Sequence, residues 1–391
     1  MTDTPTPLPA DGMPSLAAAG IRLITELQSP EGAYPASPSF SAYVGYSWLR
    51  DGAFIADAMS AVGEGGSATR FFDWCATVIS ARRDAIAEIV ARAHAGDPVP
   101  DDAMLPTRFT FAGGEGDDDW WDFQLDGYGT WVWALVAHLR RHPESPERWR
   151  EAVELTVDYL TSSWQRPCYD WWEEHDQHVH VSTLASIAAG LRAAVDGGLV
   201  DGMRAKEADL AHDGILRLIA EEGTVDGHLA KWLGSTAVDA SLAAAIAPFG
   251  VIDARSELGR RTIDVLERHL TVDGGTHRYL GDTFFGGGRW PLLSCFLGLA
   301  HIEAGETDRA RELWRWAGSC ADERLALPEQ VEGHLLAPGM LQEWIDRWGD
   351  SARPLLWAHA MQLRLGVALG EIPAGDRPVV FEDIVHSGGQ Q

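Results

Sequence analysis

The chain has 391 residues, 46% of them hydrophobic, and carries a formal charge of −27. That is enough apolar side chain for a sizeable core in one large domain or two average ones, which excludes a disordered or fibrous chain. The charge excludes nucleic acid and anionic membrane surfaces as partners and disfavours a highly acidic polysaccharide, so a neutral ligand is the simplest partner.

In chain order, Met1 to Pro9 lack both the cationic region and the apolar run of a signal peptide, and no later apolar stretch is long enough to span a bilayer. A cytoplasmic protein is therefore expected. Residues 1–12 read as a flexible tail and 13–391 as one domain, because no Pro/Gly-rich linker follows. Apolar residues at helical spacing then recur over 13–28, 50–64, 66–95, 126–142, 146–164, 179–198, 201–221, 236–248, 254–269, 291–304, 306–323 and 352–370, about twelve helices. Ser145-Pro146 ahead of Glu147, Asp253 ahead of Ala254, and Asp308 just after Gly305 mark three helix starts. The strand-like pieces, Arg108 to Phe111 and Arg278 to Leu280, are short and sit in Gly- and Asp-rich connections. The fold class is all-α. Short and long connections alternate, which suggests hairpins set in a ring with one set of loops left to build a site. Cys75, Cys168, Cys295 and Cys320 lack CxxC spacing and read as reduced core thiols.

Chemistry gathers where loops meet helices. Trp171-Trp172-Glu173-Glu174 puts two acids behind two indoles. Similar groupings recur at Trp48-Leu49-Arg50-Asp51, at Trp120-Trp121-Asp122-Phe123-Gln124-Leu125-Asp126 and at Arg289-Trp290. One such pair is ordinarily a half-buried Trp beside a solvated acid; four together point to a carbohydrate cleft. Indoles cover the apolar faces of a pyranose while carboxylates accept its hydroxyls. An apolar wall also raises a neighbouring carboxyl toward the range of a working acid.

Taken in order, these residues resemble glycoside hydrolase family 15, the glucoamylase and glucodextranase family, whose catalytic domain is an (α/α)6 barrel. Tyr46-Ser47-Trp48-Leu49-Arg50-Asp51-Gly52 resembles the first-loop motif, in which an Arg-Asp pair holds the glucose at the cleaved end. Trp120 to Asp126 resembles the second motif, and Tyr169-Asp170-Trp171-Trp172-Glu173-Glu174 the general-acid motif, whose first Glu is the acid. Arg278-Tyr279, followed by Gly286-Gly287-Gly288-Arg289-Trp290, resembles the loop that gives an Arg and a Trp to the substrate. Leu327-Pro328-Glu329-Gln330-Val331, with Pro354 to Ala360 behind it, resembles the bacterial general-base motif and its closing helix. The resemblance implies Glu173 as general acid and Glu329 as general base. It implies substrate contacts from Trp48, Arg50, Asp51, Trp120, Gln124, Trp172, Glu174, Arg278, Tyr279, Trp290 and Gln330. It also implies inversion, with roughly 6.5–9.5 Å between the two carboxyls to leave room for a water. Two features depart from the family. The chain begins directly with helix, where bacterial relatives of glucoamylase type carry a β-sandwich, and it shows no starch-binding module. His175-Asp176-Gln177-His178-Val179-His180 replaces the Gly-containing loop near the leaving sugar.

Residue by residue, Trp171 or Trp172 would shield Glu173, Glu174 would raise its pKa further by like-charge repulsion, and Glu329 would stay ionised to activate water. Arg50 and Asp51 would grip the far hydroxyls of the non-reducing glucose, a better reading than a helix-start ion pair. Arg278 fits a hydroxyl bridge or a loop salt bridge equally well. Asp126 reads best as a helix cap, Trp290 as a sugar platform and Trp357 as core. His178-x-His180 lacks further ligands, and Asp117-Asp118-Asp119 lacks the spacing of a calcium loop, so no metal or cofactor is expected. His178 and His180 read instead as polar lining of the leaving-group site.

The expected activity is an inverting exo-acting α-glucosidase that releases β-D-glucose from the non-reducing end of short α-glucans, α-1,6-linked isomaltose and isomalto-oligosaccharides first. Glucoamylase action on α-1,4 links, glucodextranase and trehalase are alternatives within the family. A non-catalytic sugar-binding barrel is the alternative of another class, disfavoured by carboxylates at both expected positions. A sugar epimerase of this fold relies on His pairs, and a hydrolase of unsaturated uronides sits poorly with a charge of −27.

Overall fold

A computed structural model describes residues 12–116, 120 and 123–375. Its first seven helices are α1 (Gly12–Leu27), α2 (Leu49–Ala61), α3 (Gly65–Ser80), α4 (Arg83–His94), α5 (Asp126–Arg141), α6 (Glu147–Ser163) and α7 (Val181–Asp196). The next are α8 (Gly202–Glu222), α9 (Ala243–Ile246), α10 (Glu257–Leu270), α11 (Pro291–Ala304), α12 (Thr307–Ser319), α13 (Leu341–Trp348) and α14 (Leu356–Ala368). Helices α2, α5, α7, α9, α11 and α14 pack each on the next, and α14 returns to α2, which closes an inner ring of six. Helices α1, α3, α6, α8, α10 and α12 lie outside it, and α4 packs on α6. This is an (α/α)6 barrel.

The sequence explains which helix goes where. All thirteen residues of α2 are buried, and α7 runs Ala, Gly, Ser and Leu with almost no charge, as a helix covered on every side requires. The outer α10 and α12 carry Arg and Glu on one face and bury the other. Small residues let inner helices approach closely: a Cβ at Gly190 would stand 2.4 Å from the Gly129 carbonyl oxygen, and one at Gly129 2.3 Å from that of Ser186. No side chain fits there. Under the upper end of the ring, buried Phe54 of α2 packs against Trp171, Phe249, Phe296 and Trp357. The four cysteines are free and buried.

Short connections close one end of the barrel and long ones the other: 28–48, 95–125, 164–180, 223–242, 271–290 and 320–355. Three small antiparallel sheets stiffen the long set. β1 (Tyr46–Trp48) pairs with β2 (Arg108–Thr110), with Trp48 opposite Arg108. β3 (Thr224–Val225) pairs with β4 (His228–Leu229), and β6 (Gly275–His277) lies between β5 (Thr271–Val272) and β7 (Arg289–Trp290).

Several expected boundaries shift for identifiable reasons. The segment 66–95 breaks into α3 and α4 at Arg82, whose φ of −105° and ψ of 17° leave the helix while its guanidinium bonds the carbonyls of Val78 and Gly113. The segment 236–248 shrinks to a 3₁₀ turn over Ala240–Leu242 and the single turn of α9, because Pro248 forces Ala247 into an extended conformation. The last helix starts at Leu356, after Pro354. Ser256 caps α10 by accepting from the Gly259 amide, while Asp253 shapes a turn just before it. Of the two strand-like pieces, Arg108 to Phe111 supplies β2 through Thr110, with Phe111 in the turn that follows; Arg278 to Leu280 is irregular and follows β6. Helix α13 has no counterpart among the expected segments. The expected tail lies outside the described residues except for Gly12, which opens α1, and so does the acidic run Asp117-Asp118-Asp119. Among the described residues no helix is long and apolar enough to cross a membrane.

Candidate active site

The long connections enclose a cleft of about 300 Å³. Ala36, Phe40, Ala42, Tyr43, Trp48, Arg50 and Asp51 line it from the first long connection and the start of α2, with Trp120, Trp171, Trp172, Glu173, Arg278, Phe284 and Trp290 from the connections that follow. Glu329, Trp344, Arg347, Trp348, Leu355 and Trp357 complete it. Nine of the thirteen expected site residues thus share one cleft: Trp48, Arg50, Asp51, Trp120, Trp172, Glu173, Arg278, Trp290 and Glu329. Gln124, Glu174, Tyr279 and Gln330 stand behind its surface instead, bonded to the residues that form it or tucked under the backbone.

Glu173 is held in a strained turn. Its φ is +62°, a left-handed conformation that a non-glycine residue keeps only when its surroundings fix it. Asp170 supplies that constraint: its Oδ1 accepts from the amides of Trp172 (2.9 Å) and Glu174 (3.0 Å). Asp170 is in turn tied to buried Lys231 (3.3 Å), which also reaches Asp239 (2.9 Å), and Asp239 accepts from the Trp172 indole (2.9 Å). At the tip, Trp48 Nε1 donates to Glu173 Oε1 at 2.6 Å. Burial raises the Glu173 pKa, while Arg50 and the Trp48, Trp120 and Gln124 side chains hold it down. The like-charge push expected of Glu174 is replaced by burial, since Glu174 turns to Tyr279 Oη (2.5 Å) and Arg278 Nη2 (3.4 Å).

Glu329 lies in the last long connection, its Oε1 accepting from Tyr43 Oη at 2.9 Å and its Oε2 buried without a partner. Burial pushes its pKa up to about 7, against the opposing pull of Tyr43 and Arg278. This push works against the ionised form expected of a general base, which the Tyr43 hydroxyl and Arg278 support. Asp51 is raised to about 6, again by burial, with Arg50 opposing.

Arg50 is a hub of the cleft lining. Its Nη1 donates to Gln124 Oε1 (2.7 Å) and Asp126 Oδ2 (3.1 Å), its Nε lies 3.3 Å from Asp51 Oδ2, and it sits over the Trp357 ring at 5.6 Å. Asp126 is therefore no helix cap; it is the first residue of α5, fully buried, and spends its carboxylate on Arg50. Trp357 is buried as expected but also forms part of the cleft floor. Arg278 makes a two-point bond to Asp282 (2.8 and 2.5 Å), which leaves its face against Trp172, Phe284 and Trp290. Gln330 is buried under Gly288. The His175–His180 segment does not line the cleft: His178 stacks flat on Trp232 at 4.2 Å, and His180 Nε2 bonds the His175 carbonyl.

The sequence did not single out Tyr43, Phe40, Phe284 or the aromatic wall of α13. There Trp344 packs on Phe284 (3.8 Å between ring centres) and stacks on Phe40 (6.4 Å). The four-residue spacing of Trp344 and Trp348 was the available signal. Lys231 and Asp239, in the fourth long connection, had none.

Two buried carboxyls in an indole-walled cleft, at the loop end of a double ring of helices, define a sugar hydrolase. The sequence model of "Glycosyl hydrolases family 15" matches residues 15–256, and the chain belongs to that family. It is 48% identical over 359 residues to the isomaltose glucohydrolase of Kribbella flavida, covering 92% of this chain and 93% of that protein. A solved glycosidase superposes with a TM-score of 0.91 at 46% identity, covering 94% of this chain and 100% of the other, and a variant of it is known in complex with glucose. The glucoamylase of Saccharomycopsis fibuligera shares the fold at a TM-score of 0.68 and 14% identity, over 95% of this chain and 98% of that one.

Proposed function

We propose that this glycoside hydrolase is an inverting exo-α-glucosidase that releases β-D-glucose from the non-reducing end of short α-glucans, isomaltose first. The observation that carries the reading is the pairing of Glu173 and Glu329 on one small cleft that buried Arg50, Asp51 and Trp357 also line. The chain's likeness to the Kribbella flavida enzyme supports isomaltose over the α-1,4 and trehalose alternatives.

Glu173, whose pKa burial raises, gives a proton in its protonated form to the glycosidic oxygen as the bond to the anomeric carbon breaks. Glu329 in its ionised form takes a proton from the attacking water, and Tyr43 stabilises that ionised form. Arg50 and Asp51 fix the terminal hydroxyls, so binding energy becomes position. Tyr279 and Arg278 hold Glu174 beside the acid without bringing a second free carboxylate to it.

Glucose release from isomaltose, maltose, isomaltotriose, dextran and trehalose tests the reading, with Glu173→Gln and Glu329→Gln as controls. Isomaltose is expected to be the best substrate, and each variant to lose about 10²–10⁴-fold in kcat. Preference for maltose would make the protein a glucoamylase, and no release from any substrate would favour a sugar-binding barrel.

A further inference from the structure

Arg108 has no role in the chemistry above, yet it is buried, with 2% exposure, directly beside the acid. The β1–β2 ladder sets it opposite Trp48. Its guanidinium carbon lies 3.9 Å from the ring centre of Tyr46 and 4.1 Å from that of Trp120, with Trp48 at 5.6 Å. Trp48 and Trp120 meet edge to face at 6.0 Å. Trp48 Nε1 is the 2.6 Å donor to Glu173, and Trp120 lines the same cleft. One flat cation therefore braces the indole that donates to the acid and the second indole packed edge-on against it. Arg suits the task because its planar, permanently charged group stacks on aromatic faces.

We propose that Arg108 is a positioning residue for the general acid: clamped between Tyr46 and Trp120, it fixes the Trp48 indole that aims Glu173 at the glycosidic oxygen. The proposal rests on Glu173 being that acid. It predicts a loss confined to reactions that need the acid's proton. In isomaltose the C–O bond breaks with the electron pair going to an oxygen that must be protonated. In α-D-glucosyl fluoride the C–F bond breaks and fluoride leaves with its pair unaided, while water adds to C1 and gives its proton to Glu329.

Steady-state kinetics of the full chain on the two substrates make the test, with Arg108→Met, Arg108→Lys and Tyr46→Leu compared with Glu173→Gln. Arg108→Met is expected to lower kcat on isomaltose by about 10–100-fold and on the fluoride by less than about threefold. Arg108→Lys and Tyr46→Leu, milder changes to the same clamp, are expected to show the same selectivity at smaller size. If all three lower both substrates alike, or neither, Arg108 does not act through the acid. Glu173→Gln separates the two failures. If it is selective for isomaltose and the clamp variants are not, the positioning role alone is wrong; if it cuts both substrates alike, the assignment of the acid falls and the clamp's role with it.

Discussion

Burying two carboxyls has a consequence that reaches beyond catalysis. Glu329 and Asp51 are raised by burial from ordinary values of 4.5 and 3.8 to about 7 and about 6. The folded protein therefore binds these protons more tightly than the unfolded chain does. The stability they contribute is complete below the unfolded pKa values and is lost as pH climbs through about 6 and then about 7. Glu329→Gln, neutral throughout, is expected to be more stable than the parent at pH 8 by up to about 3 kcal/mol, with no gain near pH 4. Calorimetry at the two pH values checks this, and an equal shift at both would contradict it. The acids themselves were legible in the sequence because each sits in a local pattern of Trp, Pro and acid. Tyr43 was not, since its one informative contact is with a residue 286 positions away. The same holds for Asp126, which has the local look of a helix cap and is claimed by an arginine from another helix.

At the scale of elements, the inner ring depends on backbone proximity between α5 and α7. Gly190→Ala places a methyl 2.4 Å from a carbonyl oxygen. It is expected to cost at least about 1–3 kcal/mol in urea unfolding; no change would mean that the helices can slide apart freely. Helix α13 is the opposite case. None of its residues is buried, and its aromatic side chains pack on Phe40 and Phe284 at the cleft. Trp344→Ala is expected to raise KM for isomaltose about two- to tenfold with stability changed by less than about 1 kcal/mol. An unchanged KM would remove α13 from the substrate's surroundings. The eight residues of α13 are too few to stand out as a periodic segment, whereas α7 and α11 announce themselves by length and apolarity. Where Arg82 and Pro248 interrupt the pattern, local chemistry overrides a periodicity that reads as continuous.

For the whole molecule, the alternation of short and long connections carried the architecture, and it did so because a double ring has one end for turns and another for loops. Net charge makes a separate statement. With −27 overall and a neutral substrate, encounter is not steered electrostatically, so kcat/KM on isomaltose is expected to change less than about twofold between about 0.02 and 0.5 M salt. A steep rise with salt would point to an anionic substrate shielded from repulsion.

The stereochemistry of hydrolysis tests the central claim most directly. Proton NMR of isomaltose cleavage, followed from the first turnover before mutarotation, is expected to show β-glucose appearing first from the non-reducing unit, as a water activated by Glu329 on the face opposite the leaving group requires. First appearance of α-glucose from that unit would mean retention, and would contradict the pairing of Glu173 as general acid with Glu329 as general base.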